Sequence, residues 1–162
     1  PSYEILAEET DLAWRVWLAR YRVLYVPSSV TYHAFNTKFK TSDFYVPRRV
    51  YFNGCRNYLA MLFTNLEYKN LIIPIGTQLV VWTCAAIGMF ITGKREASYN
   101  IFNGLWYFLT HIRQHLYKRN KVQKMRTKSD RYLFQFIMKN PPLSYYINRF
   151  IRYIKFFCKQ IN

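Results

Sequence analysis

Glu8, Glu9 and Asp11 place three carboxylates within four residues; Arg15 follows one helical turn after Asp11, and His33 ends the second of two β-rich runs downstream. A carboxylate within hydrogen-bond reach of an attacking hydroxyl acts as a general base. A neutral imidazole is a common ligand for a transition metal such as Mn²⁺, and positive charge of that kind holds a departing diphosphate. The combination would therefore serve group transfer to an acceptor hydroxyl. Each part also has a plainer role: acids complement the positive end of a helix, and a lone histidine is ordinarily structural or surface-exposed.

Positioning these groups requires particular elements. Leu12, Trp14, Trp17, Leu18 and Tyr21 recur at helical spacing among Arg15, Arg20 and Arg22, which predicts a helix over 11–22 capped by Thr10 or Asp11. Val23–Val26, stopped by Pro27, and Val30–Tyr32, leading into His33, read as strands. Residues 34–47 lack a period and read as a loop able to close over a substrate. From 48 to 66 apolar residues return around Arg56 and Asn57, and this reads as a helix close to a membrane.

In that order the residues resemble inverting family-2 glycosyltransferases of the GT-A fold, and rhamnosyltransferase-like members in particular. Those enzymes carry Glu-Asp-x-Asp-Leu-x-x-Arg, a Gly-Tyr-Arg turn, a strand ending in Pro and a Tyr-His. Here they become Glu8-Glu9-Thr10-Asp11-Leu12-Ala13-Trp14-Arg15, Tyr21-Arg22, Val26-Pro27 and Tyr32-His33. Arg56-Asn57 is similar to a pair on the family's membrane-leading helix, and Lys121-Val122-Gln123, Arg126 and Ser129-Asp130 to a basic tail segment. The chain departs at Glu9, where Asp is usual, and at Arg20, where Gly is usual. It also has no Asp-x-Asp.

The resemblance implies an α/β fold class: the C-terminal, acceptor-side part of a Rossmann-like GT-A domain over 1–66, then a mainly α-helical membrane-associated region. It makes Glu9 the catalytic base, with Glu8 and Asp11 beside it, His33 a metal ligand, and Arg15, Arg56 and Asn57 contacts for substrate. No cofactor-binding residue is assigned. A divalent cation, Mg²⁺ or Mn²⁺, would be held mostly by an upstream Asp-x-Asp outside these residues, so the chain alone is expected to be inactive. Its partners would be a nucleotide-sugar donor and a lipid-linked or glycan acceptor.

Composition supplies the membrane. Leu71–Thr92 holds no charged residue over twenty-two positions, enough at 1.5 Å per residue to cross a hydrocarbon core of roughly 30 Å. A second, aromatic run at 101–112 is shorter, and the two predict a membrane-inserted hairpin or re-entrant pair within 67–112, with helices lying in the interface as the alternative. The net charge of +16 is concentrated late: residues 94–162 carry fifteen Lys or Arg against two acids. The basic region 113–162, with amphipathic spacing over 143–161, fits an anionic lipid surface on the cytoplasmic face. With so long an uncharged run beside the charge, nucleic acid is not the expected partner. His111 and His115 read as solvent or headgroup contacts. Cys55, Cys84 and Cys158, an odd and scattered set, imply neither a disulfide framework nor zinc. Residues 1–11 lack the apolar stretch of a cleavable signal peptide. A non-enzymatic basic membrane adaptor, a degenerate remnant of such an enzyme, is the alternative function.

Overall fold

The computed structural model describes residues 6–32 and 48–137, with 142, 144, 145 and 148. Their helices are α1 (Glu8–Leu18), α2 (Arg48–Asn65), α3 (Ile72–Ile91), α4 (Arg95–Thr110), α5 (Ile112–Met125) and α6 (Asp130–Ile137). The described residues contain no strand, so the expected α/β fold is corrected to a helical bundle. Val23–Val26 and Val30–Tyr32 do run outside any helix, but no described segment pairs with them, and Tyr25 and Tyr32 are 88% and 95% exposed. β-branched and aromatic side chains form a strand only where a neighbour takes up the backbone groups and a packed face takes the side chains. The loop 34–47 and most of the amphipathic stretch 143–161 lie outside the described residues.

The chain forms two compact units, 1–130 and 131–162. In the first, α2 is the central helix, packing most extensively on α4 and also on α5, α3 and α1. Its Cys55, Leu59 and Ala60 join Ala86 of α3 and Ile101 and Phe108 of α4 in a closed core. Helix α4 approaches α2 closely at Gly104, where an added Cβ would lie 2.8 Å from the Phe52 carbonyl oxygen and 3.2 Å from Cys55 Cβ. In the second unit, the Tyr132 and Phe136 rings of α6 stand 5.1 Å apart.

The end of α2 organises the first unit. A helix leaves its last carbonyls without intrahelical donors, and cations there meet the negative end of the dipole. Helix α2 has no basic residue in its own last turn. The donors come from α5 and the segment after it. Arg119 Nη1 donates to the Phe63 carbonyl and, at 2.7 Å, to that of Leu66. Gln123 Nε2 donates to the Thr64 carbonyl at 2.9 Å, and Arg126 Nη2 to that of Asn65. Arg126 is in turn fixed by Asp130 Oδ1 at 2.9 Å, while Asp130 Oδ2 accepts from the Glu67 N–H at 2.7 Å and from Asn70 Nδ2 at 2.9 Å. Next to this cap, the Thr127 N–H and hydroxyl both donate to the Leu18 carbonyl, at 2.9 and 3.0 Å, which fastens the end of α1.

Two helices end in the same paired-bond motif. After α3, Gly93 has φ 80°, with Lys94 N–H bonded to the Met89 carbonyl at 2.8 Å and Gly93 N–H to that of Phe90 at 3.1 Å. After α1, Tyr21 N–H bonds the Val16 carbonyl and Arg20 N–H that of Trp17, and here Arg20 holds the left-handed position at φ 73°. An L side chain in that conformation is strained where glycine is not.

Arg20→Gly is therefore expected to stabilise the fold by about 0.5 kcal/mol, the released strain exceeding the added unfolded-state entropy. Gly104→Ala is expected to destabilise it by about 1–3 kcal/mol, because the obstacle is backbone. Thermal unfolding in detergent measures both.

Candidate functional site

The acidic motif begins on a strained backbone. Leu6 and Ala7 are successive non-glycine residues at φ 68° and 69°, and Ala7 is the N-cap of α1 without a side-chain cap bond. The helix thus starts at Glu8, three residues ahead of the expected Asp11, and Thr10 and Asp11 do not cap it. The strained segment is held on α2, where Asn57 Nδ2 donates to the Leu6 carbonyl at 3.0 Å.

The three carboxylates have separate surroundings. Asp11 is 3% exposed: Asn65 Nδ2 donates to its Oδ1 at 2.7 Å, and Arg15 Nη2 lies 2.9 Å from its Oδ2. Burial pushes its pKa up, opposed by the Asn65 hydrogen bond and the Arg15 charge. Both oxygens are engaged, so Asp11 anchors α1 to the capped end of α2. Glu8 is half-buried, and its Oε2 has no partner among the described residues. Glu9 is exposed, on the solvent side of the first turn. Of the three, Glu9 alone is presented as an open carboxylate.

The expected contacts Arg56 and Asn57 occupy successive positions on α2. While Asn57 holds Leu6, its Oδ1 accepts from Arg56 Nε at 2.9 Å, and the Arg56 guanidinium lies 5.1 Å from the Phe52 ring centroid and 5.3 Å from that of Tyr107. The structure therefore gathers Glu8, Glu9, Asp11, Arg15 and Asn57 around α1 and α2, with Arg56 turned towards α4. His33 lies outside the described residues. Among those described, no group of three or more His, Cys, Asp and Glu side chains could hold a metal ion. With Asp11 committed to Asn65 and Arg15, the donor set here does not fit a divalent cation.

Two features of this region escape the sequence. Asn65, the partner of Asp11, belongs to no recognisable motif and has only its place at the end of an amphipathic helix as a signal. His115 is the other: instead of meeting solvent or headgroups it is 4% exposed, 5.0 Å from the Phe108 ring, with neither ring nitrogen hydrogen-bonded among the described residues. Burial, reinforced by the nearby His111 and Arg56 charges, lowers its pKa to about 4. Cys55, fully buried in the core, has its thiol pushed up to about 12 by burial and stays protonated.

On the outer side of the bundle, Tyr68–Ile91 is long and apolar enough to span a membrane, with a mean hydropathy of 1.8 and only 6% of its apolar window buried within the protein. Ile72, Ile73, Val80, Val81, Phe90 and Ile91 are all exposed on it, and Phe102, Trp106 and Leu109 continue the exposed apolar surface on α4. Comparisons with protein-family models, curated proteins and solved structures give no match. The glycosyltransferase resemblance stands on its motif residues alone.

Asp11→Ala is expected to cost about 1–3 kcal/mol, since it leaves the fully buried Asn65 amide unpaired, whereas Glu9→Gln should leave the unfolding midpoint unchanged. His115 gives a pH dependence. Its folded pKa lies below the unfolded value, so its neutral form stabilises the fold fully above 6.5, and that stability is lost as pH falls towards about 4. The loss should reach about 3 kcal/mol and disappear in His115→Phe, read from denaturation midpoints across that window.

Proposed function

We propose that the chain is the acceptor-side, membrane-docked part of an inverting glycosyltransferase that moves a sugar from a nucleotide-sugar donor to a hydroxyl of a lipid-linked or glycan acceptor. The observation that carries this reading is the division of labour in the acidic motif: Asp11 is buried on Asn65 and Arg15, while Glu9 on the same turn stays open. An anchored helix start with one free carboxylate is what a positioned general base requires. In the reaction, Glu9 takes the proton of the acceptor hydroxyl as its oxygen attacks the anomeric carbon. The bond from that carbon to the nucleotide diphosphate breaks on the opposite face, inverting the centre.

The donor, together with a Mg²⁺ or Mn²⁺ ion, would be held by an Asp-x-Asp that these 162 residues lack, so the activity belongs to the assembled enzyme. Docking follows from the outward apolar surfaces of α3 and α4, joined by the turn at Gly93, which suit a hairpin in the bilayer. That arrangement returns the chain to the side it came from, keeping the acidic motif and the basic α5 together at the cytoplasmic face.

A non-enzymatic adaptor is the second reading, favoured by the same apolar surface and by the late concentration of positive charge. The full-length protein in membranes, supplied with nucleotide sugars and lipid acceptors, separates the two. Glu9→Gln should lower kcat by about a hundredfold or more with little change in KM or in vesicle binding. Unchanged turnover in Glu9→Gln would remove Glu9 as the base. Vesicle binding without turnover in the wild type would favour the adaptor.

A further inference from the structure

The imidazole of His115 poses a problem of satisfaction. Buried polar atoms almost always find partners, yet both of its ring nitrogens lack one among the described residues at 4% exposure. The charged groups that bear on it are Arg56 from α2 and His111 from the α4–α5 junction. Arg56 has donors only, and neither neighbour is an acid. On its own helix, Lys118 and Arg119 follow within the next turn, adding further positive charge.

The neighbours are also held in place. His111 stacks on Tyr107 at a centroid distance of 3.7 Å, with its Nδ1 3.0 Å from the Tyr107 carbonyl oxygen. The Thr110 hydroxyl lies 3.0 Å from the same Nδ1, and with Nδ1 engaged on that side Nε2 is the ring atom available to a ligand. Arg56 is fixed through Nε by Asn57 and by the Phe52 and Tyr107 rings, so its terminal nitrogens form a pre-oriented fork. Arg56 and His111 both lie against the Tyr107 ring, and His115, one turn on from His111 with its N–H bonded to the His111 carbonyl, packs on the adjacent Phe108. Three nitrogen-bearing groups gathered there with hydrogen-bonding capacity to spare call for an anionic oxygen ligand with several acceptor sites.

We propose that Arg56, His111 and His115 form a phosphate-binding site where α2 meets α4 and α5, which takes the phosphate or diphosphate of a membrane lipid. The Arg56 fork and the imidazole N–H groups would each meet a phosphate oxygen by a charge-assisted hydrogen bond. The lipid as source follows from location: the site includes the Tyr107 ring, and the neighbouring Trp106 is exposed together with the apolar Phe102 and Leu109 of α4, the kind of surface whose aromatic residues sit at headgroup depth. Naming that source rests on the membrane-docked reading above; phosphate binding itself does not, and neither depends on transfer activity.

The test uses the whole chain, first in detergent with inorganic pyrophosphate, then in phosphatidylcholine bilayers with or without phosphatidic acid. Imidazole NMR follows His115, whose titration midpoint should rise from about 4 towards 6.5 when pyrophosphate binds, because the anion favours the charged ring. Phosphatidic acid should produce the same rise and pure phosphatidylcholine none. By calorimetry, Arg56→Gln should weaken pyrophosphate binding about tenfold or more, while Lys124→Gln, which removes the same charge from an exposed position on α5, should change it less than about twofold. His115→Phe, which keeps a flat ring beside Phe108, should weaken it as well and serves if Arg56→Gln does not fold. An unmoved His115 titration, or equal losses in the Arg56 and Lys124 variants, overturns the site. A response to pyrophosphate without one to phosphatidic acid overturns the lipid as its ligand. Any of these results leaves the Glu9 transfer assay, and the reading that rests on it, untouched.

Discussion

The carbonyls at the end of α2 are the constraint from which the bundle follows. Four consecutive acceptors from Phe63 to Leu66 need donors, and α2 has no basic residue in its last turn to provide them. Arg119, Gln123 and Arg126 approach from α5 and the turn beyond it, and Asp130 balances the charge while capturing Glu67 and Asn70. Hydrogen bonds with an ionised partner are among the stronger ones, and leaving such groups buried without partners is costly. The position of α5 along α2 is thereby set.

That one end reaches both the acidic motif and the surroundings of His115. Asn65, whose carbonyl accepts from Arg126, uses its side chain to hold Asp11, and Thr127, just past the cap, holds the Leu18 carbonyl. Helix α1 is fixed at both its beginning and its end by groups gathered around the capped terminus. In the other direction the same placement of α5 puts His115 one turn before Arg119, over Phe108 and within reach of the Arg56 charge. The open carboxylate of Glu9 and the cationic cluster at Arg56 are thus two consequences of a single packing decision, linked through the neighbouring Asn57 that binds Leu6 and orients Arg56.

Elements governed by their own composition were legible in the sequence, and those governed by neighbours were not. The uncharged run 71–92 encloses α3 at Ile72–Ile91, and the apolar period over 48–66 matches α2 at Arg48–Asn65, because length, hydropathy and spacing are properties of the segment itself. Val23–Val26 and Val30–Tyr32 have strand-like residues, but a strand is completed by a partner, and none is present among the described residues. Helix α1 starts three residues ahead of the place its sequence predicts because a left-handed pair at Leu6 and Ala7, held by an amide fifty-one positions away, replaces an ordinary side-chain cap. Arg20 is an instructive intermediate: its departure from glycine was visible, and the structure supplies the meaning, a left-handed helix end. His115 was hidden because the polarity of an imidazole says nothing of a helix that turns it inwards.

The central claim is that the capped end of α2 holds the acidic helix in place, while the apolar core that joins α2 to α3 and α4 through Cys55, Leu59, Ala86, Ile101 and Phe108 holds without it. Residue-resolved hydrogen exchange on Arg126→Gln in detergent tests it most directly. Helix α1 should lose amide protection over residues 11–18, with α3 and α4 retaining theirs, since the variant removes a donor from the Asn65 carbonyl and unties Asp130. Unchanged protection in α1, or uniform loss across α1, α3 and α4, would contradict the account.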